Sequence, residues 1–201
     1  IQICFLFDEF DDTYQTMQRE LFSQLRAIRD ANKYRLTYIL FLRNLPEKLR
    51  SPKDNESFYE LISRNMLGLG PYSAMDSFHI IGQLEKRRDH ELNKENREWV
   101  WNNSGGHPGL IQALFAFVKE NSLTTAQKQN PEWLVKQEII REEFRKIWNG
   151  LLDEEQDALK KIAQGDQKSV SFSTGTLLLG KGIVKTSGIL FSPLFEYWIR
   201  S

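Results

Sequence analysis

The sequence carries a single cysteine, Cys4, in 201 residues. A disulfide framework and a multi-cysteine metal site within the chain are thereby excluded. The place of Cys4 inside an apolar run predicts a buried, inert thiol. Long apolar runs are missing too: none approaches the ~20 residues of a membrane-spanning helix, and no secretory leader pattern is visible. The expectation is a cytoplasmic protein with no membrane partner. An excess of one charge is also lacking. The 27 basic and 27 acidic residues cancel, so no global field draws the chain toward nucleic acid or a membrane. Repeats and low-complexity tracts are absent. Residue 1 is Ile and not Met, which predicts a native start further upstream.

What is present suits a packed, soluble fold. Apolar residues make up 40% and aromatic residues 12%, including five Trp and thirteen Phe, more than a disordered chain carries. The first stretch, "ICFLFDEFDD", runs from apolar residues straight into acids. Residues 3–7 read as a buried strand, short and rich in branched and aromatic side chains. Asp11, Asp12 or Thr13 can cap the helix that follows. Its apolar stripe is Met17, Leu21, Leu25 and Ile28. Residues 36–42 form a second apolar run. Strand, helix, strand with both strands apolar predicts a βαβ unit, hence parallel pairing.

Parallel strands place their carboxyl ends on one edge, where open α/β sheets bind ligands. Asp8 and Glu9 leave the first strand there, and Arg43 and Asn44 leave the second. A strand ending in Asp-Glu can supply one carboxylate to magnesium and a second to an attacking water. Arg43 can stabilise charge on a transferring phosphoryl group. The competing reading is a solvated acidic turn at a helix start, favoured by the helix dipole.

The rest of the chain turns helical. A polar loop spans residues 46–55, a short helix carries Phe58, Leu61 and Ile62, and "MLGLGPYS" suggests a third strand. Ser73 and Asp76 have capping-box spacing ahead of a helix. A polar helix near residues 95–101 stops at "NNSGGHPG", and Pro108 opens the next. Residues 121–131 read as a polar linker. A long helix over 132–148 follows, then one capped by Asp153, a short apolar segment at 176–179, and a hairpin at 183–191. Ser192 and Pro193 open the last helix. Three helices, a hairpin and a closing helix describe a winged-helix domain. His79 and His90 have no metal-partner spacing and read as structural or solvated.

Taken in order, these pieces resemble a known module. "ICFLFDEFDD" resembles a Walker B strand, and "YILFLRNLPEKL" resembles a sensor 1 strand with its loop. "GPYSAMDSFHIIGQL" and "SGGHPGLIQALF" look like the helical lid of the STAND branch of AAA+-related P-loop ATPases. The segment from "LLDEEQDALKKIAQGD" to "ILFSPLFEYWIR" is similar to the winged helix that ends that module. The resemblance covers nearly the whole chain. It implies an α/β part followed by an all-α lid and a winged helix. The α/β part, residues 1–72, would be a partial parallel sheet of a P-loop core. The lid would span 73–122, the linker 123–131 and the winged helix 132–201.

By that resemblance the cofactors are ATP or ADP and Mg2+. Asp8 would coordinate the metal, Glu9 would activate water, and Arg43 would be the sensor 1 arginine. Gly106, His107 and Pro108 would sit against the base and ribose or near the β-phosphate. Ser192 falls where some relatives place a histidine that reads the diphosphate. For Ser192 the alternative is a plain N-cap, and for His107 a cap position. The implied function is a regulatory switch in which nucleotide state repositions lid and winged helix, acting on an effector domain or on self-association.

The phosphate-binding loop is missing. "GTLLLGKG", residues 175–182, matches G-x-x-x-x-G-K, but Gly182 stands where a Ser or Thr should hold magnesium. Three leucines fill the loop, and no strand-to-helix context surrounds it. The expectation is a structural segment here and a true loop upstream of residue 1. Two other classes remain: a DNA-binding winged-helix initiator or transcription factor, and a catalytically inactive scaffold. Residues 131–201 hold ten basic and ten acidic side chains, and residues 173–181 offer no Arg, Asn or Gln to read base edges. Both features argue against DNA binding.

Overall fold

The computed structural model describes residues 2–201, which divide into two compact units, the first ending at Leu67 and the second spanning Gly68–Ser201. Among the described residues the chain forms thirteen α-helices and one two-stranded parallel sheet.

In the first unit β1 (Ile3–Phe7) is followed by α1 (Asp11–Thr16), α2 (Arg19–Ala31) and β2 (Leu36–Leu40). The strands pair in parallel, Ile3 opposite Leu36 through Phe7 opposite Leu40. The predicted βαβ unit is present, with the helical crossover that a parallel pair requires. Then come α3 (Pro46–Leu49), a 3-10 turn (Pro52–Asp54) and α4 (Glu56–Ser63). Phe10, Tyr14, Phe22 and Phe58 are buried in the core, with Phe7, Tyr38 and Leu40 packed on them. The rings of Tyr14 and Phe22 lie 5.2 Å apart, as do those of Phe22 and Phe58. The Asn55 side-chain amide donates to the Tyr14 hydroxyl at 2.8 Å, which satisfies the phenol inside this aromatic cluster.

Five expectations fail between residues 3 and 73. The strands are not buried on both faces: Leu6 is 63% exposed, and Ile39 is exposed beside it. Cys4 shares that outer face and is exposed, not buried. The core aromatics and Leu25 of α2 pack on the face carrying Phe7, Tyr38 and Leu40, and even on that face Ile3 and Phe5 stay 51% and 50% exposed. The predicted single first helix breaks at Met17 and Gln18, both extended. Arg50 donates to the Met17 carbonyl there, so an acceptor freed by the break is satisfied from another element. Residues 46–55, read as a loop, hold α3 and the 3-10 turn. No strand forms over 66–73 among the described residues: Leu67 and Leu69 are exposed, and a strand without a ladder partner has nothing to satisfy its backbone.

The second unit holds α5 (Ala74–Arg88), α6 (Lys94–Ser104), α7 (Pro108–Glu120), α8 (Thr125–Lys128), α9 (Pro131–Leu134) and α10 (Glu138–Asn149). α11 (Asp153–Ala163), a 3-10 turn (Gln167–Ser169), α12 (Phe172–Gly180) and α13 (Pro193–Arg200) complete it. α7 is its axis. Leu110, Ile111, Leu114, Phe115 and Val118 are buried, as predicted, and Ala113, Ala116 and Phe117 are buried as well. A helix apolar on all sides must be surrounded, and α5, α6 and α10 pack around it. One continuous core runs from Ile81 to Phe195.

Caps fix the helix starts. The Ser73 hydroxyl accepts from the Asp76 amide at 3.2 Å, and Thr124 forms a reciprocal box with Gln127. That box places α8 inside the segment read as a linker. The helix expected over 132–148 is split into α9 and α10 at Gln137, whose extended backbone (φ −70°, ψ 126°) ends one helical run and precedes the next. α11 starts one residue earlier than read. Its cap is made by Glu155, which accepts from the Leu152 amide at 2.8 Å, and not by the pair Asp153 and Gln156. The segment at 176–179 belongs to α12. The hairpin is a single antiparallel bridge between Val184 and Leu190, closed by the Lys185 amide donating to the Ile189 carbonyl at 2.8 Å.

Candidate functional site

The parallel register brings β1 and β2 to an end at the same level, Phe7 beside Leu40. Backbone bonds continue past the strands: the Phe41 amide donates to the Phe7 carbonyl at 2.8 Å, and the Phe10 amide to the Phe41 carbonyl at 3.1 Å. Asp8 and Glu9 are thus confined to a short bulge between two fixed points. Glu9 has a φ of +48°, a left-handed conformation that costs energy for a non-glycine residue. Its amide donates to Asp8 Oδ1 at 3.0 Å. The bulge throws both carboxylates outward, and both residues are exposed.

Arg43 leaves β2 on the same edge. Its Nη2 lies 3.0 Å from Glu9 Oε1, with the two side chains 64% and 77% exposed. So exposed a pair adds little to stability, and either group can exchange its partner for an incoming charge. Glu9 and Arg43 meet at the carboxyl edge of the sheet, as expected, with Asp8 beside Glu9 on the same bulge.

Asp11, Asp12 and Thr13, read as possible helix caps, lie inside α1, which Phe10 precedes with no side-chain cap; Asp11 instead holds the edge together. Its carboxylate accepts from the Arg43 amide at 2.9 Å and from the Asn44 amide at 3.1 Å. One first-turn acid of α1 thereby ties the exit of β2 to the exit of β1, 32 residues apart. An acid one turn beyond a strand end, beside a parallel neighbour, was the available signal.

The chemistry of this edge is that of an exposed carboxylate pair with one guanidinium. Among the described residues no group of three or more His, Cys, Asp or Glu is disposed to hold a metal. Asp8 alone suits magnesium only where waters and phosphate oxygens complete the shell, which is the usual manner of Mg2+.

The other predicted residues lie in the second unit, gathered where α6 ends and α7 begins. Gly105 and Gly106 have φ of +57° and +84°. A Cβ on Gly105 would meet the Phe191 carbonyl at 1.9 Å, and one on Gly106 the Tyr72 carbonyl at 2.3 Å. Glycine is required at both by conformation and by room. His107 caps α7, its Nδ1 accepting from the Leu110 amide at 3.4 Å, and Pro108 takes the first helical position. The imidazole packs against Phe191, ring centroids 5.6 Å apart. Burial pushes its pKa below the ordinary histidine value, opposed by the nearby Glu143 carboxylate.

Comparison of the chain with protein-family models, curated proteins and solved structures returns no match.

Ser192 is fully buried. Its hydroxyl donates to the Asn103 carbonyl at 2.6 Å and accepts from the Phe195 amide at 3.2 Å, capping α13. Both capabilities of the hydroxyl are used internally. The G-x-x-x-x-G-K match has an equally local explanation. Residues 175–180 are helical, and Lys181 Nζ lies 2.7 Å from Oε1 of the fully buried Glu155. That lysine neutralises a core carboxylate.

Proposed function

We propose that this chain forms part of a STAND-type ATP-binding and ATP-hydrolysing switch module. The reading rests on one observation: Asp8, Glu9 and Arg43 converge at the carboxyl edge of a parallel strand pair, with Arg43 3.0 Å from Glu9. In this reading the first unit is the hydrolytic half of a P-loop core. The second unit is the helical lid followed by a winged helix, in which α10, α11 and α12 form the bundle and the bridged hairpin is the wing. Bound Mg2+ supplies charge neutralisation of the phosphates. With that ion bound, Asp8 would offer it one oxygen, Glu9 would orient and deprotonate the attacking water, and Arg43 would turn from Glu9 toward charge on the γ-phosphate. Gly106, His107 and Pro108 would act as the nucleotide-facing start of the lid. Ser192 would act only by holding α13 to the end of α6. The partner would be an effector domain or a second module, and the cytoplasm its compartment. No helix among the described residues is long and apolar enough to cross a membrane.

Among the described residues no glycine-rich strand-to-helix loop is present to grip phosphates, so in this reading a segment outside the chain supplies that grip. The chain alone is therefore expected to bind ATP weakly or not at all and to turn none over. Titration calorimetry with MgATP tests this. Micromolar affinity for the isolated 201 residues would overturn the reading that the site is divided between segments.

The alternative of a DNA-reading winged helix makes an opposite forecast. The exposed positions of α12 are Phe172, Ser173, Thr176, Leu179 and Gly180, none of them charged. A gel-shift assay at ~150 mM salt, where counterion release weakens nonspecific binding, should show no retardation. Tight, sequence-selective retardation would favour the initiator reading instead.

A further inference from the structure

His107 is held by several parts of the second unit at once. Its carbonyl accepts from the Ile111 amide at 2.9 Å and its Nδ1 from the Leu110 amide, both in the first turn of α7. Phe191 of the C-terminal hairpin lies against its ring. From α10, Glu143 reaches the same place. A Cβ on Gly109 would sit 2.2 Å from Glu143 Oε2 and 3.4 Å from His107 Cε1. The missing side chain of Gly109 is thus the space in which carboxylate and imidazole approach.

An Nδ1 that accepts a hydrogen bond is unprotonated, which fixes a neutral ring with its proton on Nε2. A proton added at Nδ1 would face the Leu110 N–H donor to donor. It would also put a cation at the positive end of a 13-residue helix. The charged groups nearby are both on α10: Glu143, 18% exposed, and Lys146, which donates to it. α6 contributes Asn103 and Ser104, the hairpin Phe191 and Ser192, and the segment before α5 the backbone of Tyr72, none of which brings charge. Lys146 offsets part of the welcome that Glu143 offers an imidazolium.

We propose that His107 is a proton-sensitive clasp, released as the pH falls below the ordinary histidine range, that joins the start of α7 to the C-terminal hairpin. Protonation removes the Nδ1 acceptor, turns the ring away from Phe191, and loosens the hairpin and α13 from the end of α6. The sign follows from the lowered pKa in the folded state. The unfolded chain binds the proton more readily, so the contribution to stability is complete above the ordinary value near 6.5. It is lost as pH falls from there toward the lowered folded value.

The test follows the imidazole resonances of the 201-residue chain by NMR between pH 8 and 5, assigned by their absence in His107→Asn. The His107 ring should titrate below the ordinary histidine range, and lower still in Glu143→Gln. Ring-to-ring NOEs between His107 and Phe191 should be present at pH 7.5 and disappear along the same titration. Asparagine keeps an N-cap acceptor, so His107→Asn should lose less of its thermal midpoint than the parent between pH 7 and 5. Titration at or above 6.5, NOEs that persist through it, or parallel midpoint curves would each overturn the clasp. Should His107→Asn fail to fold, the titration and NOEs of the parent decide it.

Discussion

Replacing Lys181 with Met should lower the stability of the second unit by about 3–5 kcal/mol, the usual cost of stranding one member of a buried ion pair. Glu155 is fully buried, and Lys181 Nζ sits 2.7 Å from Oε1 and 2.8 Å from Oε2. The lysine side chain is itself only 17% exposed. With the ammonium gone, the carboxylate keeps the Leu152 amide and little else to offset its lost hydration. For a chain of this size the thermal midpoint should fall by on the order of 10 °C. Combining Lys181→Met with Glu155→Leu removes the stranded charge and should recover most of the loss, leaving about 1 kcal/mol for the helix cap. A Lys181→Met protein within 1 kcal/mol of the parent would show that the pair is not formed. The same pair explains why a phosphate-loop spelling occurs in a segment without a loop.

Local patterns carried much of this fold into the sequence. The runs at 3–7 and 36–42 are short and apolar and the stretch between them has helical spacing, so parallel pairing follows; the second strand ends at Leu40, two residues earlier than read. Ser73, His107 and Ser192 stand one residue before helices that they cap. What stayed hidden depended on residues distant in the chain. The break at Met17 is accommodated by Arg50. The exposure of Cys4 and Leu6 reflects how much of the sheet its neighbours cover, which no run of five residues encodes. The strand reading of 66–73 took apolar residues for a buried segment, although the two glycines among them weaken any strand.

The candidate site divides in the same way. Asp8, Glu9 and Arg43 were legible because strand ends on a parallel sheet share an edge. The role of Asp11 was not, because its bonds run to backbone amides that only the folded register brings near. Glu143, beside His107, comes from a helix 36 residues away and has no local signature. For Ser192 a plain cap and a nucleotide contact were both open from sequence, and the structure supplies the cap.

On the proposed ATPase reading, Glu9→Gln in a protein that also carries a phosphate-binding loop should have the other large effect. Glutamine preserves shape and polarity but cannot take a proton from water. It also loses the charge that holds Arg43 at 3.0 Å, which leaves the guanidinium free for the γ-phosphate. ATP affinity should therefore be kept or rise slightly. Hydrolysis should slow by roughly 10²–10⁴-fold, the effect of removing a positioned general base. Asp8→Ala should differ by lowering magnesium-dependent affinity as well as turnover. Arg43→Ala should slow hydrolysis by loss of charge stabilisation. In a switch protein the Glu9→Gln form would accumulate in the ATP-bound state. The most direct measurement is single-turnover hydrolysis of prebound ATP by the parent and by Glu9→Gln. Retained binding with hydrolysis slowed at least a hundredfold is the result predicted, and hydrolysis at the parent rate would reduce Asp8 and Glu9 to a solvated turn.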